Sequence, residues 1–127
     1  MDCLFCPPLL DASQVVLESA HCLFLQQPEP VLTGSGLIIP KLHHPSVFDL
    51  TPQEWQDTLA LLQRVKALLD GLHHPGGYNL GWNCGITGGQ HIFHAHLHVI
   101  PRFADEPYAG RGIRFWLKSE SNRRNHF

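Results

Sequence analysis

Residues 90–102 read Q-H-I-F-H-A-H-L-H-V-I-P-R, which sets His94, His96 and His98 at every second position with apolar residues between and after them. On a strand successive side chains point to opposite faces, so the three imidazoles share one wall, about 6.5 Å from one to the next. Ala95, Leu97 and Val99 then face the other way, into a core. On a helix the same residues would fan out by about 200° per step and converge on nothing. The spacing predicts a strand over Ile92–Ile100 that carries three groups titrating near neutrality. Such a wall suits metal binding or nucleophilic and acid/base chemistry.

Outward from this strand the chain alternates short apolar runs with turns. Before it, Gly85-Ile86-Thr87-Gly88-Gly89 is a flexible turn, Tyr78–Cys84 a strand, and His73-His74-Pro75-Gly76-Gly77 a loop. The clearest helix lies further back. Thr51 is its N-cap, Pro52 its first helical position and Glu54 the partner of a capping box, with Gly71 as the expected stop. Trp55, Leu59, Leu62, Val65 and Leu69 recur at three- and four-residue steps and form its expected apolar stripe. Gln14–Glu18 and Ala20–Gln27 read as a strand hairpin, Q-P-E-P-V-L-T-G-S-G as a loop, and Leu37-Ile38-Ile39 as a buried strand stopped by Pro40. After the histidines comes one more apolar piece, Ile113–Leu117, and then a polar tail expected to fray from about residue 119. Several strands with one dominant helix make an α+β fold with a mainly antiparallel sheet.

The 127 residues, 43% of them hydrophobic, are enough for one core, so residues 1–127 are expected to form a single domain with 104–127 as a C-terminal extension. Net charge is −2 and charged residues make up only 16%. That argues against a nucleic-acid partner, despite a local excess from Arg111, Arg114, Arg123 and Arg124, and it fits a surface partly covered by a second subunit. The N-terminus carries Asp2 where a signal peptide needs a basic start, and Pro7 and Pro8 break its apolar run. With no uninterrupted apolar stretch of spanning length, no membrane partner and a cytoplasmic location are expected. Cys3 and Cys6 form a C-x-x-C pair, which in a cytosolic chain is more often a metal clamp or redox pair than a disulfide.

Three chemistries compete for the histidines. They can be solvent-facing residues of an edge strand. They can be ligands of a metal-dependent oxygenase or cupin-like site, but such a site usually also wants a carboxylate soon after, and Val99, Ile100, Pro101 and Arg102 follow instead. Or they can do nucleophilic catalysis on phosphorus, since a neutral imidazole attacks a phosphoryl centre and gives a phosphoramidate that water later breaks. Glycines ahead of the strand let backbone approach phosphate oxygens.

H-A-H-L-H-V-I, preceded by G-G-Q and followed by P-R, resembles the signature of the histidine triad family. L-I-I-P-K-L-H resembles that family's apolar strand ending in P-K, the long helix falls in the same place, and N-C-G resembles its N-x-G; the likeness covers roughly residues 3 to 103. It implies an antiparallel sheet of about five strands with one long helix, and a homodimer whose subunits join their sheets. By the same resemblance His96 is the nucleophile that becomes nucleotidylated at the α-phosphate, and His98 contacts phosphate or leaving-group oxygens. The backbone at Gly89 and Gln90 cradles the phosphate, and Asn83 supplies an amide to the phosphate or ribose. Substrates would be nucleoside phosphoramidates or dinucleoside polyphosphates, hydrolysed without a catalytic metal. Two positions depart from the family's pattern: His91 stands where Ser or Thr is common, and Gln27 stands where many members have a ribose-binding acid.

Members resembling this chain bind a structural zinc through a C-x-x-C pair and two histidines, here Cys3, Cys6, His43 and His94, with His44 an alternative to its neighbour. Cys22, Cys84, Trp82 and Phe93 are expected in the core, and His21, His73, His74 and His126 in solvent. Phe5, Leu23 and Phe24 are expected in the core or lining a base pocket. Tyr108, Arg111, Arg114 and Trp116 reach either the active site or a partner subunit. The competing function is a zinc-stabilised nucleotide-binding scaffold with little turnover, which an intact set of three histidines disfavours.

Overall fold

The structure, a computed structural model, describes residues 2–125. Five strands, β1 (Val15–Glu18), β2 (Cys22–Leu25), β3 (Gly36–Pro40), β4 (Gly77–Trp82) and β5 (Leu97–Arg102), form one sheet in the order β1-β2-β3-β5-β4. Every ladder is antiparallel. The long helix α1 (Pro52–His73) connects β3 to β4, and a short helix α2 (Ile113–Leu117) follows the last strand. The expected α+β class and strand count hold. The last apolar piece is this short helix, and the segment after it forms a 3-10 turn, Glu120–Asn122, capped by Ser119 and closed by an Arg123–Glu120 ion pair. His126 lies outside the described residues.

One face of the sheet packs on α1. The helix starts as the sequence predicts: Thr51 Oγ1 accepts from Glu54 N–H at 3.1 Å, and Glu54 Oε1 accepts from Thr51 N–H at 2.8 Å. Its buried stripe differs from the expected one. Glu54, Thr58, Leu61, Val65 and Leu69 face the sheet, and the three apolar ones meet Cys22, Phe24, Ile38, Leu97 and Val99. Trp55 and Leu59 are 47% and 58% exposed, and Leu62 packs at the margin. Two polar residues can take inward places because both are satisfied, Thr58 Oγ1 by donating to the Glu54 carbonyl at 2.7 Å and Glu54 by its cap and His44. The helix also passes its expected stop at Gly71. His74, at φ 51°, takes the left-handed position, and Pro75 beyond it cannot continue the helix.

The opposite face is covered from one end by the N-terminal arm, whose Cys3 and Phe5 pack on Leu25 and Ile39. On the helix side β3 opens with Gly36, where an added Cβ would stand 2.5 Å from the Leu25 carbonyl oxygen and 2.6 Å from the Phe24 ring. The chain after β5 covers the other end, anchored by Arg102. Asp57 ties α1 to the β1–β2 hairpin by accepting from Ser19 Oγ at 2.6 Å and His21 N–H at 2.7 Å. Cys22 is fully buried, Cys84 and Trp82 half-buried, and Phe93, expected inside, is 44% exposed. His21 and His74 are exposed, whereas His73 is half-buried over Gly34. Among the described residues no helix is long and apolar enough to cross a membrane.

Candidate functional site

The ladder of the histidine strand begins later than the pattern predicts, at Leu97, so His94 and His96 lie in the bent, extended segment leading into it. The alternation still runs through that segment: Ala95, Leu97 and Val99 are buried on the helix side, while the three histidines turn the other way. Pairing is supplied by other groups, since Ala95 N–H donates to the His44 carbonyl at 2.7 Å. His96 Nδ1 donates to the His94 carbonyl at 2.8 Å, which fixes the tautomer and leaves Nε2 as the ring's lone pair. The His96 and His98 rings lie edge to face with centroids 5.0 Å apart, and Phe5 meets His96 edge-on at 5.5 Å. Burial, and then the neighbouring His96 ring, hold His98 below the usual histidine value.

These rings open into a cavity of about 410 Å³. Gln27, Asn83, Gly89, His91, His96 and His98, all expected at the site, line it, and so does Phe5. Asn83 Nδ2 stands 3.5 Å from His98 Nε2, at the long end of hydrogen bonding. Leu23 lies at the margin of the cluster beneath the N-terminal arm and Phe24 is in the helix-side core, so neither lines the cavity. Gln90 is also absent from its wall. The Gln90 side chain is buried and holds the glycine turn: Oε1 accepts from Gly85 N–H at 2.9 Å, and Nε2 donates to the Pro45 and Ile92 carbonyls at 2.5 and 3.1 Å. The N–H groups of Gly89 and Gln90 close bonds within that turn, to Ile86 and Gly85 carbonyls. Gly89, at φ 95°, therefore lets another group approach its backbone closely but carries no free N–H donor.

Several wall residues escaped the sequence reading, Ile100 and Glu29 among them. Ile100 follows His98 on the same face of β5, and the period of two was signal enough to find it. Glu29 sits in the proline-rich loop, where no periodicity marks a position; its carboxylate also accepts the N–H of Val31 at 2.8 Å.

The first histidine has a different environment. The ligand atoms of Cys3, Cys6, His43 and His94 lie within 4.8 Å of one another, close enough to bind one metal ion. His94 Nδ1 is 3.5 Å from both thiol sulfurs, and Cys6 Sγ is 3.6 Å from His43 Nδ1. The remaining His94 nitrogen, Nε2, donates to the Pro40 carbonyl at 2.7 Å, which turns Nδ1 toward the sulfurs. Burial lowers the His94 value, as do the neighbouring imidazoles, against a hydrogen bond to Pro40 that raises it. Burial, and then Cys3, push the Cys6 thiol up. His44, the alternative, belongs elsewhere: its Nε2 pairs with Glu54 at 2.9 Å. Burial pushes the Cys22 thiol, in the opposite core, up to about 11, which makes it inert.

The chain is 34% identical over 106 residues to adenylylsulfatase HINT3 of Arabidopsis thaliana, covering 80% of this chain and 52% of that protein. It is 34% identical over 74 residues to the asymmetrical bis(5'-nucleosyl)-tetraphosphatase of Schizosaccharomyces pombe, covering 58% of this chain and 41% of that one. It therefore spans about half the length of these curated relatives. The crystal structure of SMU.412c from Streptococcus mutans UA159 superposes with a TM-score of 0.74 at 30% identity, covering 84% of this chain and 69% of that one. A model of the HIT domain matches residues 11–105, a span that takes in the whole sheet, the long helix and all three histidines, and the chain belongs to that family.

Proposed function

We propose that this chain is a nucleotide hydrolase or nucleotidyl transferase that acts on the α-phosphate of nucleoside phosphoramidates or dinucleoside polyphosphates through a covalent nucleotidyl-histidine. The observation that carries the reading is the His96 Nδ1 bond to the His94 carbonyl, which leaves Nε2 with its lone pair in a ring lining the cavity. Nε2 attacks the α-phosphorus, a P–N bond forms as the bond to the leaving group breaks, and the leaving group departs with a proton taken from solvent, which the hydrolytic water of the next step gives back as the P–N bond breaks. Water then attacks the same phosphorus and returns His96 to its neutral form. His98 contacts the phosphate or leaving-group oxygens, with Asn83 beside it. Gly89 allows close approach, Gln90 holds the turn, and Gln27 and His91 meet the nucleoside and leaving-group sides. The two curated relatives, a nucleosyl-tetraphosphatase and an adenylylsulfatase by name, support the substrate class.

The metal cluster fits zinc. Zn–S bonds of about 2.3 Å and Zn–N bonds of about 2.0–2.1 Å at tetrahedral angles set S···N edges near 3.6 Å; three of the four S···N edges are 3.5 to 3.6 Å, and all four ligand atoms lie within 4.8 Å of one another. Two thiolates and two imidazoles would close the coordination shell, so zinc would be structural, tying the N-terminal arm to His94. Exposed Trp55, Leu59 and Leu80, with β4 at the free edge of the sheet, support a homodimer through this side.

The test offers adenosine phosphoramidate and a dinucleoside polyphosphate to the wild type and to His96→Ala. The wild type should hydrolyse at least one, and the variant should lose about 10³-fold or more in kcat. Equal rates in both proteins would refute the nucleophile assignment, and no turnover by the wild type would refute the activity.

A further inference from the structure

The face of the sheet that carries His98 continues past the catalytic cavity. Ile100 and Arg102 follow His98 on the same side of β5 at steps of about 6.5 Å, with Asn79 opposite Ile100 in β4. Arg102 organises the chain that covers this end. Its guanidinium donates to Glu106 at 2.7 Å, to the Arg111 carbonyl at 2.7 Å, to the Tyr108 carbonyl at 2.9 Å and to the Asn79 side chain. These bonds fold residues 103–112 back over the sheet and deliver α2. Together they place Tyr108, Phe115 and Trp116 around the Arg111 guanidinium, with ring centroids 5.0, 4.9 and 5.6 Å from its central carbon.

Arg111 forms no ion pair among the described residues. Tyr108 and Trp116 remain more than half exposed. A second cavity of about 230 Å³ opens against these side chains and shares Leu32 and Ile100 with the catalytic cavity, so the two adjoin. Packing alone does not call for a charge there, since an aliphatic side chain would fill the space between rings. A guanidinium does two further things: it attracts phosphate oxygens, and with the rings it presents flat faces on which a base can stack.

We propose that Arg111, Tyr108 and Trp116 form a second nucleotide subsite, which takes the leaving half of a dinucleoside polyphosphate. The distal phosphates run along the Ile100 side of β5 toward Arg111, and the second base stacks on Trp116 and Tyr108. The proposal rests on the reading of the catalytic cavity given above. It makes the C-terminal extension the part of the chain that favours a substrate with two nucleosides over one with a small leaving group.

The test measures binding in a His96→Ala background, where turnover does not interfere. A dinucleoside tetraphosphate and the corresponding nucleoside monophosphate are titrated by calorimetry. The dinucleotide should bind about tenfold or more tightly, and adding Arg111→Ala or Trp116→Ala should each remove most of that advantage, by about 5- to 100-fold. Trp116→Ala removes an exposed ring without touching the Arg102 bonds, so it separates loss of the subsite from loss of the fold. Equal affinity for the two ligands in the parent, or an advantage that survives both substitutions, overturns the subsite alone. Failure of either ligand to bind the parent overturns the catalytic-cavity reading and the subsite with it. A parallel loss of affinity for both ligands in the two variants assigns the cluster a structural role and also overturns the proposal.

Discussion

At the scale of single residues, Gln90 separates position from role. Its place between the glycine turn and the histidines suggests a substrate contact, yet its three hydrogen bonds go to Gly85, Pro45 and Ile92 and its side chain is buried. It pins the turn that carries Gly89 to the segment that carries His43 and His44. Gln90→Ala leaves backbone donors and acceptors unpaired in a buried place, a loss of about 1–3 kcal/mol. For a chain of this length that corresponds to roughly 3–10 °C in melting temperature, which calorimetry would record. The variant should also raise KM, because a looser turn no longer holds Gly89 against the phosphate. An unchanged melting temperature would show that the amide is dispensable and return Gln90 to the list of direct contacts.

At the scale of elements, the capping box of α1 was legible in full, because Thr51, Pro52 and Glu54 act through local bonds that depend on no distant residue. The buried face of the same helix was not. Trp55 and Leu59 form as good an apolar stripe as the one that packs, and the choice between them is made by a partner 10 residues away in sequence: His44 receives Glu54 and lets a carboxylate lie inward. The histidine strand shows the same division. Its alternation was legible and correct, but its start at Leu97 depends on the His44 carbonyl taking the Ala95 N–H in place of a ladder partner. The Glu54–His44 contact therefore links the helix start to the triad, and it has a pH signature. Burial raises the Glu54 carboxyl, but hydrogen bonds from Thr51 and His44 outweigh it and hold the group below its usual value of 4.5. A depressed carboxylate stabilises the fold above that value, and the contribution is lost as pH falls through the lower folded-state value. Between about pH 5 and 3 the wild type should lose stability more steeply than Glu54→Gln, in urea midpoints measured across that range. Parallel curves would mean that the pair contributes nothing through ionisation.

At the scale of the whole molecule, the face that carries the three histidines is a sheet surface closed at both ends by chain that lies outside the sheet. The arm ending in Phe5 closes one end and the segment after Arg102 closes the other. The N-terminal anchor was legible only through the family resemblance that joins Cys3 and Cys6 to His43 and His94, whereas the C-terminal cover was not, since its apolar residues have no period and Asn79, 23 residues from Arg102, is distant in sequence. At the N-terminal end the Cys3, Cys6, His43 and His94 cluster is the anchor. Phe5 lies between the two cysteines, packs edge-on against both His94 and His96, and lines the cavity, so whatever fixes Cys3 and Cys6 also fixes one wall of that cavity. A zinc concentration a thousandfold above Kd stabilises the folded chain by about 4 kcal/mol, or roughly 10 °C or more in melting temperature at this size. Purified protein should contain close to one zinc per chain. Chelation should lower the melting temperature by that amount and weaken nucleotide binding, and added zinc should restore both. Cys3→Ser should reproduce the chelated state, whereas Phe5→Ala should weaken nucleotide binding with zinc content intact. That contrast separates the metal's hold on the arm from the arm's contact with the substrate. A protein that neither contains nor takes up zinc, and whose melting temperature ignores the chelator, would leave the arm held by its apolar packing alone.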